Sequence, residues 1–298
     1  MKAFTQTFIL IGISLIAAKS NAASLDTPQT QYVIIGHHKL FMMQKGPAKA
    51  RFTIVFEAGG GGSSRDWAKV MALLPADIHA IAYDRAGYGK SEAGPLPRTM
   101  AQEVFELHEL LKATKVNGPI IFVGQSLGGL LIRLYTKNYS KDVAGLVLVD
   151  PAHEDAMLGS MKYGGWVRIR EKATGKTIPQ PQITLATSPG YDSTADYMAE
   201  EFQNMYISGK NDLKKLENRP LIVIGAGIRK QPPGTPDEQW KMLRGERDSQ
   251  VESLTGLSAN SKFILDSTSS HQVQNDNPAI VVQAIQSVIK AILLKTKL

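Results

Sequence analysis

Cysteine is absent from all 298 residues. Its absence excludes disulfide staples, thiolate metal sites, cysteine nucleophiles and thiol redox chemistry. An unstapled chain must hold itself by burial, and 43% hydrophobic residues over this length are enough for a sizeable core. Runs of five or six like charges are also missing. Lys and Arg number 34 against 27 Asp and Glu, a formal charge of +7, but they are scattered along the chain. Scattered basic residues favour solubility and weak surface attraction, so no nucleic-acid partner is expected. No apolar run approaches the roughly 18 residues of a membrane span, and neither an internal repeat nor a low-complexity tract occurs.

The first residues have a pattern of their own. Lys2 precedes the apolar stretch Phe8 to Ala18, and Ser20-Asn21-Ala22 places small residues where a signal peptidase reads them. This is the layout of a secretory signal peptide, predicted over residues 1–22, although a retained anchor has the same outline. Cleavage there removes Lys2 and Lys19 and no acid, taking the charge from +7 to +5. The expected location is periplasmic or secreted, with no stable membrane span left after cleavage.

Beyond it, short β-type runs alternate with helical periods. Tyr32 to Ile35 and Leu40 to Met43 flank Gly36-His37-His38 and predict a hairpin. Phe52 to Phe56, Ala80 to Tyr83, Ile120 to Val123, Leu146 to Val149, Leu221 to Ile224 and Phe263 to Leu265 read as strands. Between them lie helical patterns over Arg65 to Leu74, Thr99 to Thr114, Leu127 to Tyr139 and Pro278 to about Leu294. Continuous apolar strands separated by helices predict an α/β fold, a mostly parallel sheet covered on both faces. Residues 152–215 break the rhythm. Their apolar and aromatic residues, among them Met157, Trp166, Tyr197 and Phe202, argue for an inserted helical cap rather than a linker. The predicted core is therefore 23–151 with 216–298.

Gly124-Gln125-Ser126-Leu127-Gly128 is a G-x-S-x-G pattern, and its context gives it meaning. A strand precedes it and a helix follows, so the serine sits on a sharp turn with its hydroxyl exposed. The helix that starts behind it adds N–H groups and partial positive charge. An ordinary glycine-flanked turn is the structural alternative. A serine nucleophile needs a base. Six histidines are available: His37 and His38 in the hairpin turn, His79 before a strand, His108 mid-helix, His153 past Asp150, and His271 in Ser269-Ser270-His271 ahead of Asn277-Pro278. The glycine run 59–62 lacks the Lys-Ser/Thr that a phosphate loop requires.

Four segments together resemble the α/β-hydrolase superfamily in its serine-nucleophile, esterase and lipase-like branch. They are Phe56 to Gly60, Tyr83 to Ser91, the Ser126 elbow, and Ser270-His271. The resemblance spans essentially the whole mature chain. It implies Ser126 as nucleophile, His271 as base, and an oxyanion hole made by the backbone N–H groups of Gly60 and Leu127. Family members commonly carry His-Gly where this chain has Ala58-Gly59, a mild departure because the donor is backbone. The third member is open. Many members place the acid after the next-to-last strand, yet Gly225 to Lys230 contains none. A minority place it one strand earlier, which points to Asp150; Glu154, Asp155 and Asp237 are the alternatives, and Asp150 as a mere turn-former before Pro151 is another. Asp84-Arg85 and the turn Gly87-Tyr88-Gly89 are expected to be structural, forming an ion pair and a tight turn near the elbow. Trp67, Trp166 and Trp240 are expected to pack, with Trp166 the one nearest substrate.

These readings converge on hydrolysis of a small-molecule carboxylic ester or other acyl substrate, partly apolar, through an acyl-enzyme, with no metal and no organic cofactor expected. Aminopeptidase, lactonase or acyltransferase activity uses the same parts, and a non-catalytic binding protein of the same fold is the alternative from another class.

Overall fold

The computed structural model describes residues 27–156, except 97 and 117, and residues 216–298. The expected signal peptide and nearly all of the expected cap lie outside the described residues. Eight strands form one sheet: β1 (Gln29–Ile35), β2 (His38–Lys45), β3 (Thr53–Glu57), β4 (His79–Tyr83), β5 (Ile120–Gln125), β6 (Val143–Val149), β7 (Leu221–Ala226) and β8 (Ser261–Asp266). Their order is β1-β2-β4-β3-β5-β6-β7-β8. The β1–β2 hairpin and the β2–β4 pair are antiparallel, and from β4 to β8 every neighbour is parallel.

Helices α1 (Ala68–Leu73), α2 (Met100–Ala113), α3 (Leu127–Asn138), α4 (Asp237–Ser253), α5 (Val273–Asp276) and α6 (Pro278–Leu294) cover the two faces. Alternation along the strands divides the core. Phe122, Leu146, Leu148 and Val223 pack with α2 and α3, whereas Ile121, Val123, Val147, Ile222 and Ile224 pack with α1 and α6. Successive residues of a strand point to opposite faces, and both faces here are dry, so the strands read as unbroken apolar runs. Truncating a residue such as Phe122, fully buried, to alanine costs roughly 3–5 kcal/mol.

Local signals place the helices. Thr99 caps α2, its side chain accepting the Gln102 N–H. Pro278 opens α6, whose buried residues Val281, Val282, Ile285 and Val288 recur at helical spacing. Gly145 lets that helix approach β6, since a Cβ there would lie 2.6 Å from Val288. One expectation shifts: the hairpin turn is Gly36-His37, and His38 begins β2 as a buried residue. Among the described residues no helix is long and apolar enough to cross a membrane. The parallel strands all deliver their carboxyl ends to one edge, where a crevice forms in folds of this kind.

Candidate active site

Going across the sheet, β3, β5, β6, β7 and β8 bring to that edge, respectively, Gly59-Gly60, Ser126, Asp150, Arg229 and His271. Ser126 follows β5 with φ 51° and ψ −119°, a conformation that L-residues rarely adopt, and α3 starts at the next residue. Such strain costs about 1–3 kcal/mol and persists only where the surroundings enforce it. Here the Ser126 N–H donates to Val149 (3.2 Å), and its carbonyl accepts from Gly129 and Ala152 (both 3.0 Å). The flanking glycines are sterically required. A Cβ on Gly128 would lie 2.3 Å from the Glu57 carbonyl oxygen, and one on Gly124 would lie 2.6 Å from that of Gly128.

The turn after β3 packs directly on this elbow. A Cβ on Gly59 would come within 3.4 Å of the Ser126 Cβ, and one on Gly60 within 3.8 Å of the Leu127 side chain. The turn is held from below by Arg85, whose guanidinium donates to the carbonyls of Ala58 and Gly59 (both 2.6 Å) and to Glu57 Oε1 (2.5 Å). A trans peptide points its N–H opposite to its C=O. Pinning the Gly59 carbonyl to Arg85 therefore turns the Gly60 N–H away from Arg85. Glu57 also accepts the Tyr83 hydroxyl, and Glu103 lies 3.5 Å from Arg85. Burial pushes Glu57 up against the pull of Arg85, and it pushes Glu103 up to about 7, with Arg85 again opposing and Glu57 adding to the rise. The ion pair expected near the elbow is thus Arg85 with Glu57; Asp84 instead accepts the backbone N–H groups of Ser64 (2.6 Å) and Lys90 (2.8 Å), organising the following turn.

Asp150 follows β6 at φ 37°, fully buried, its own N–H donating to the Ile224 carbonyl (2.7 Å). Oδ2 meets Nδ1 of His271 at 2.5 Å, and Oδ1 accepts the Ala226 N–H at 3.2 Å. Arg229 forks across both oxygens, to Oδ1 at 2.7 Å and Oδ2 at 3.2 Å. Burial alone would raise the Asp150 carboxyl, but the bonds from His271 and Arg229, with the charges of Arg229 and Arg247, bring it down to about 2. An ionised carboxylate only accepts, so the shared proton belongs to Nδ1, and Nε2 of His271 carries the free lone pair.

His271 rides on a braced loop. Asp266, at the end of β8, accepts from Thr268, Ser269 and Asn277, while Asp276 accepts the N–H (2.8 Å) and hydroxyl (2.6 Å) of Ser270. The His271 carbonyl accepts from Nε2 of Gln125 at 2.9 Å, tying the histidine loop to the residue before Ser126.

The remaining candidates lie elsewhere. Glu154 pairs with Arg133; the Asp155 N–H donates to His153; Asp237 opens α4 and accepts from Gln231 at 2.8 Å. His79 bonds Thr53 (3.1 Å), and His108 stacks on Tyr139 at 3.8 Å. Trp67 is buried against Phe56, and Trp166 lies outside the described residues. Reading the sequence missed Gln125, Arg229 and the loop-bracing aspartates. Gln125 alone carried a signal, as the x of G-x-S-x-G. Arg229 stands in the loop where an acid was sought and not found, and a lone arginine has no signature.

A family profile described as "Alpha/beta hydrolase family" matches residues 54–282. YqjL of Bacillus subtilis (strain 168) is 32% identical over 252 residues, covering 83% of this chain and 87% of that protein. Human monoacylglycerol lipase ABHD6 is 26% identical over 126 residues, 42% of this chain and 37% of the lipase. A thermophilic esterase from Thermogutta terrifontis superposes with a TM-score of 0.57 at 17% identity, over 89% of this chain and 99% of the esterase, a likeness of fold.

Proposed function

The chain belongs to the alpha/beta hydrolase family, and from that premise we propose that it is a serine hydrolase in which Ser126, His271 and Asp150 form the catalytic triad. The observation that carries this reading is the 2.5 Å contact of His271 Nδ1 with Asp150, which follows the strand beside the one that leads into Ser126, a serine held at positive φ. With Nδ1 so engaged, Nε2 is the basic nitrogen, and it takes the Ser126 proton as Oγ attacks an acyl carbonyl. Negative charge then collects on the carbonyl oxygen, where the N–H groups of Gly60 and Leu127 are the donors. The imidazolium gives its proton to the leaving alcohol as the C–O bond breaks, leaving an acyl-serine. Water, deprotonated by the same nitrogen, attacks the acyl carbon and releases the acid, and the proton returns to Ser126.

The substrate proposed is a carboxylic ester or related acyl compound with an apolar acyl or alcohol part. The apolar composition of residues 152–215 supports the apolar part, and the ester chemistry follows from the serine nucleophile. Export rests on the N-terminal segment. Sequencing the N-terminus of protein recovered from a periplasmic fraction or culture medium checks it, with Ala23 expected first.

The direct test is active-site labelling with a fluorophosphonate, alongside hydrolysis of p-nitrophenyl esters of increasing acyl length. Wild type should label and turn over; Ser126→Ala should do neither. Asp150→Asn should fold and lose about 10⁴ in turnover, because the histidine then rests in the wrong tautomer. Folded wild type that neither labels nor hydrolyses any acyl ester would favour a binding role.

A further inference from the structure

Most of the polar contacts around Asp150 serve the proposed triad in an obvious way, but one does not. The acid facing His271 is already paired with a cation. Arg229, on the loop after β7, covers both Asp150 oxygens and shares Oδ2 with His271. A guanidinium fork on a carboxylate fixes the carboxylate plane as well as its charge. That plane decides which lone pair Nδ1 meets. The arginine is itself anchored at its other edge, where Nε lies 3.3 Å from Asp248 of α4.

We propose that Arg229 is a positioning residue that holds the Asp150 carboxylate for His271 and, by offsetting its charge, sets the pH at which the pair begins to act as a base. The inference rests on the serine-hydrolase reading for its catalytic consequence, but the arrangement of charges stands by itself.

Other charged groups face the pair, but among the described residues it is Arg229 that forks across both Asp150 oxygens. From α4, Arg247 stands 3.9 Å from Oδ1 with its Nη2 donating to the Pro151 carbonyl, and Arg244 lies 3.7 Å from Asp248. On the α3 side, Arg133 is paired with Glu154, and His153 lies 4.0 Å from Glu154 and 3.9 Å from Asp155. On the histidine loop, Asp276 is taken up by Ser270. An unpaired carboxylate favours the imidazolium beside it, keeping the histidine protonated to higher pH. Arg229, set across both oxygens, offsets that carboxylate charge. The pair titrates as a unit, so the observable is the apparent acid limb.

The test is the pH dependence of kcat/KM for an aryl ester in wild type, Arg229→Gln, Arg229→Lys and Asp248→Asn. In parallel, titration of the His271 imidazole is followed by 1H–15N NMR in a Ser126→Ala background. Arg229→Gln should move the acid limb and the NMR titration up by about one pH unit. Arg229→Lys should restore most of that shift but not the plateau rate, because an ammonium replaces the charge and not the fork. Asp248→Asn should move both curves down by a few tenths of a unit, since Arg229 is then shared with one carboxylate fewer. A lowered plateau with unmoved curves in Arg229→Gln would overturn the proposal. If that variant does not fold, unmoved curves in Asp248→Asn overturn it instead. An inactive, unlabelled wild type, together with an NMR titration that Arg229→Gln still moves, would sink the hydrolase reading and leave the role of Arg229 standing.

Discussion

Two arginines brace the proposed site from either side of β5 and β6. Arg85 is 2% exposed and grips the turn after β3, its fork directed at two backbone carbonyls and Glu57. Arg229 is 14% exposed and grips a side chain, the carboxylate that faces His271. The same group thus does two kinds of work. Held on carbonyls and on buried carboxylates away from the histidine, it shapes a loop. Held on the proposed triad acid, it also bears on proton transfer. Loss of the first should therefore lower rates at every pH, and loss of the second should also move the pH profile.

The sharpest way to break that contrast is Arg85→Lys. Lysine keeps a charge beside Glu57 but cannot hold the carbonyls of Ala58 and Gly59 together. Turnover should fall by about 10² with KM within a few-fold and the acid limb unmoved, the pattern of a misplaced oxyanion donor. Steady-state kinetics across pH measure it. A shifted limb would erase the distinction between the two arginines.

Stability offers a second, smaller probe. Glu103 sits beside Arg85 with its carboxyl pushed up to about 7 by burial, against an ordinary value of 4.5. Between those two values the native state holds a proton that the unfolded chain has released. The stabilisation is fully present below about pH 4.5 and is lost as pH rises through about 7. Glu103→Gln should remove this slope, so denaturant midpoints of the variant should gain on wild type from pH 4.5 to 8, by at most about 3 kcal/mol. Parallel curves for the two proteins would show that Glu103 is charged throughout.

The smallest effect concerns the elbow itself. Ser126→Gly relieves a positive φ that serine tolerates poorly. It should raise stability by about 1 kcal/mol while eliminating labelling. Thermal unfolding of the two proteins decides it. A loss of stability would mean that the serine hydroxyl contributes more than the strain costs.

The fold was legible wherever burial is regular. Strands covered on both faces appear as apolar runs, and α6 shows its buried stripe between a proline start and a left-handed residue, Lys295, at its end. Helix α4 was not legible. It runs Asp237–Ser253, buries only Val251, and so presents no apolar face to read. Of the proposed site, Ser126 was placed by a short pattern in its strand-turn-helix context, and His271 by what the family resemblance implies. Asp150 was implied by the minority of the family that carries the acid one strand earlier, with three other carboxylates left open.

By itself the sequence determined which backbone shapes are available. Glycines at 124 and 128 permit the turn that exposes Ser126, and apolar strands that alternate with helices compel a parallel sheet with its crevice at one edge. Tertiary structure alone decided which side chains meet there. Arg229 reaches Asp150 across 79 residues and Gln125 reaches His271 across 146. The physical reason is that a hydrogen bond depends on positions in space, and for distant residues these follow only once the strands have been put in order. Local periodicity fixes a strand's faces, not its neighbours.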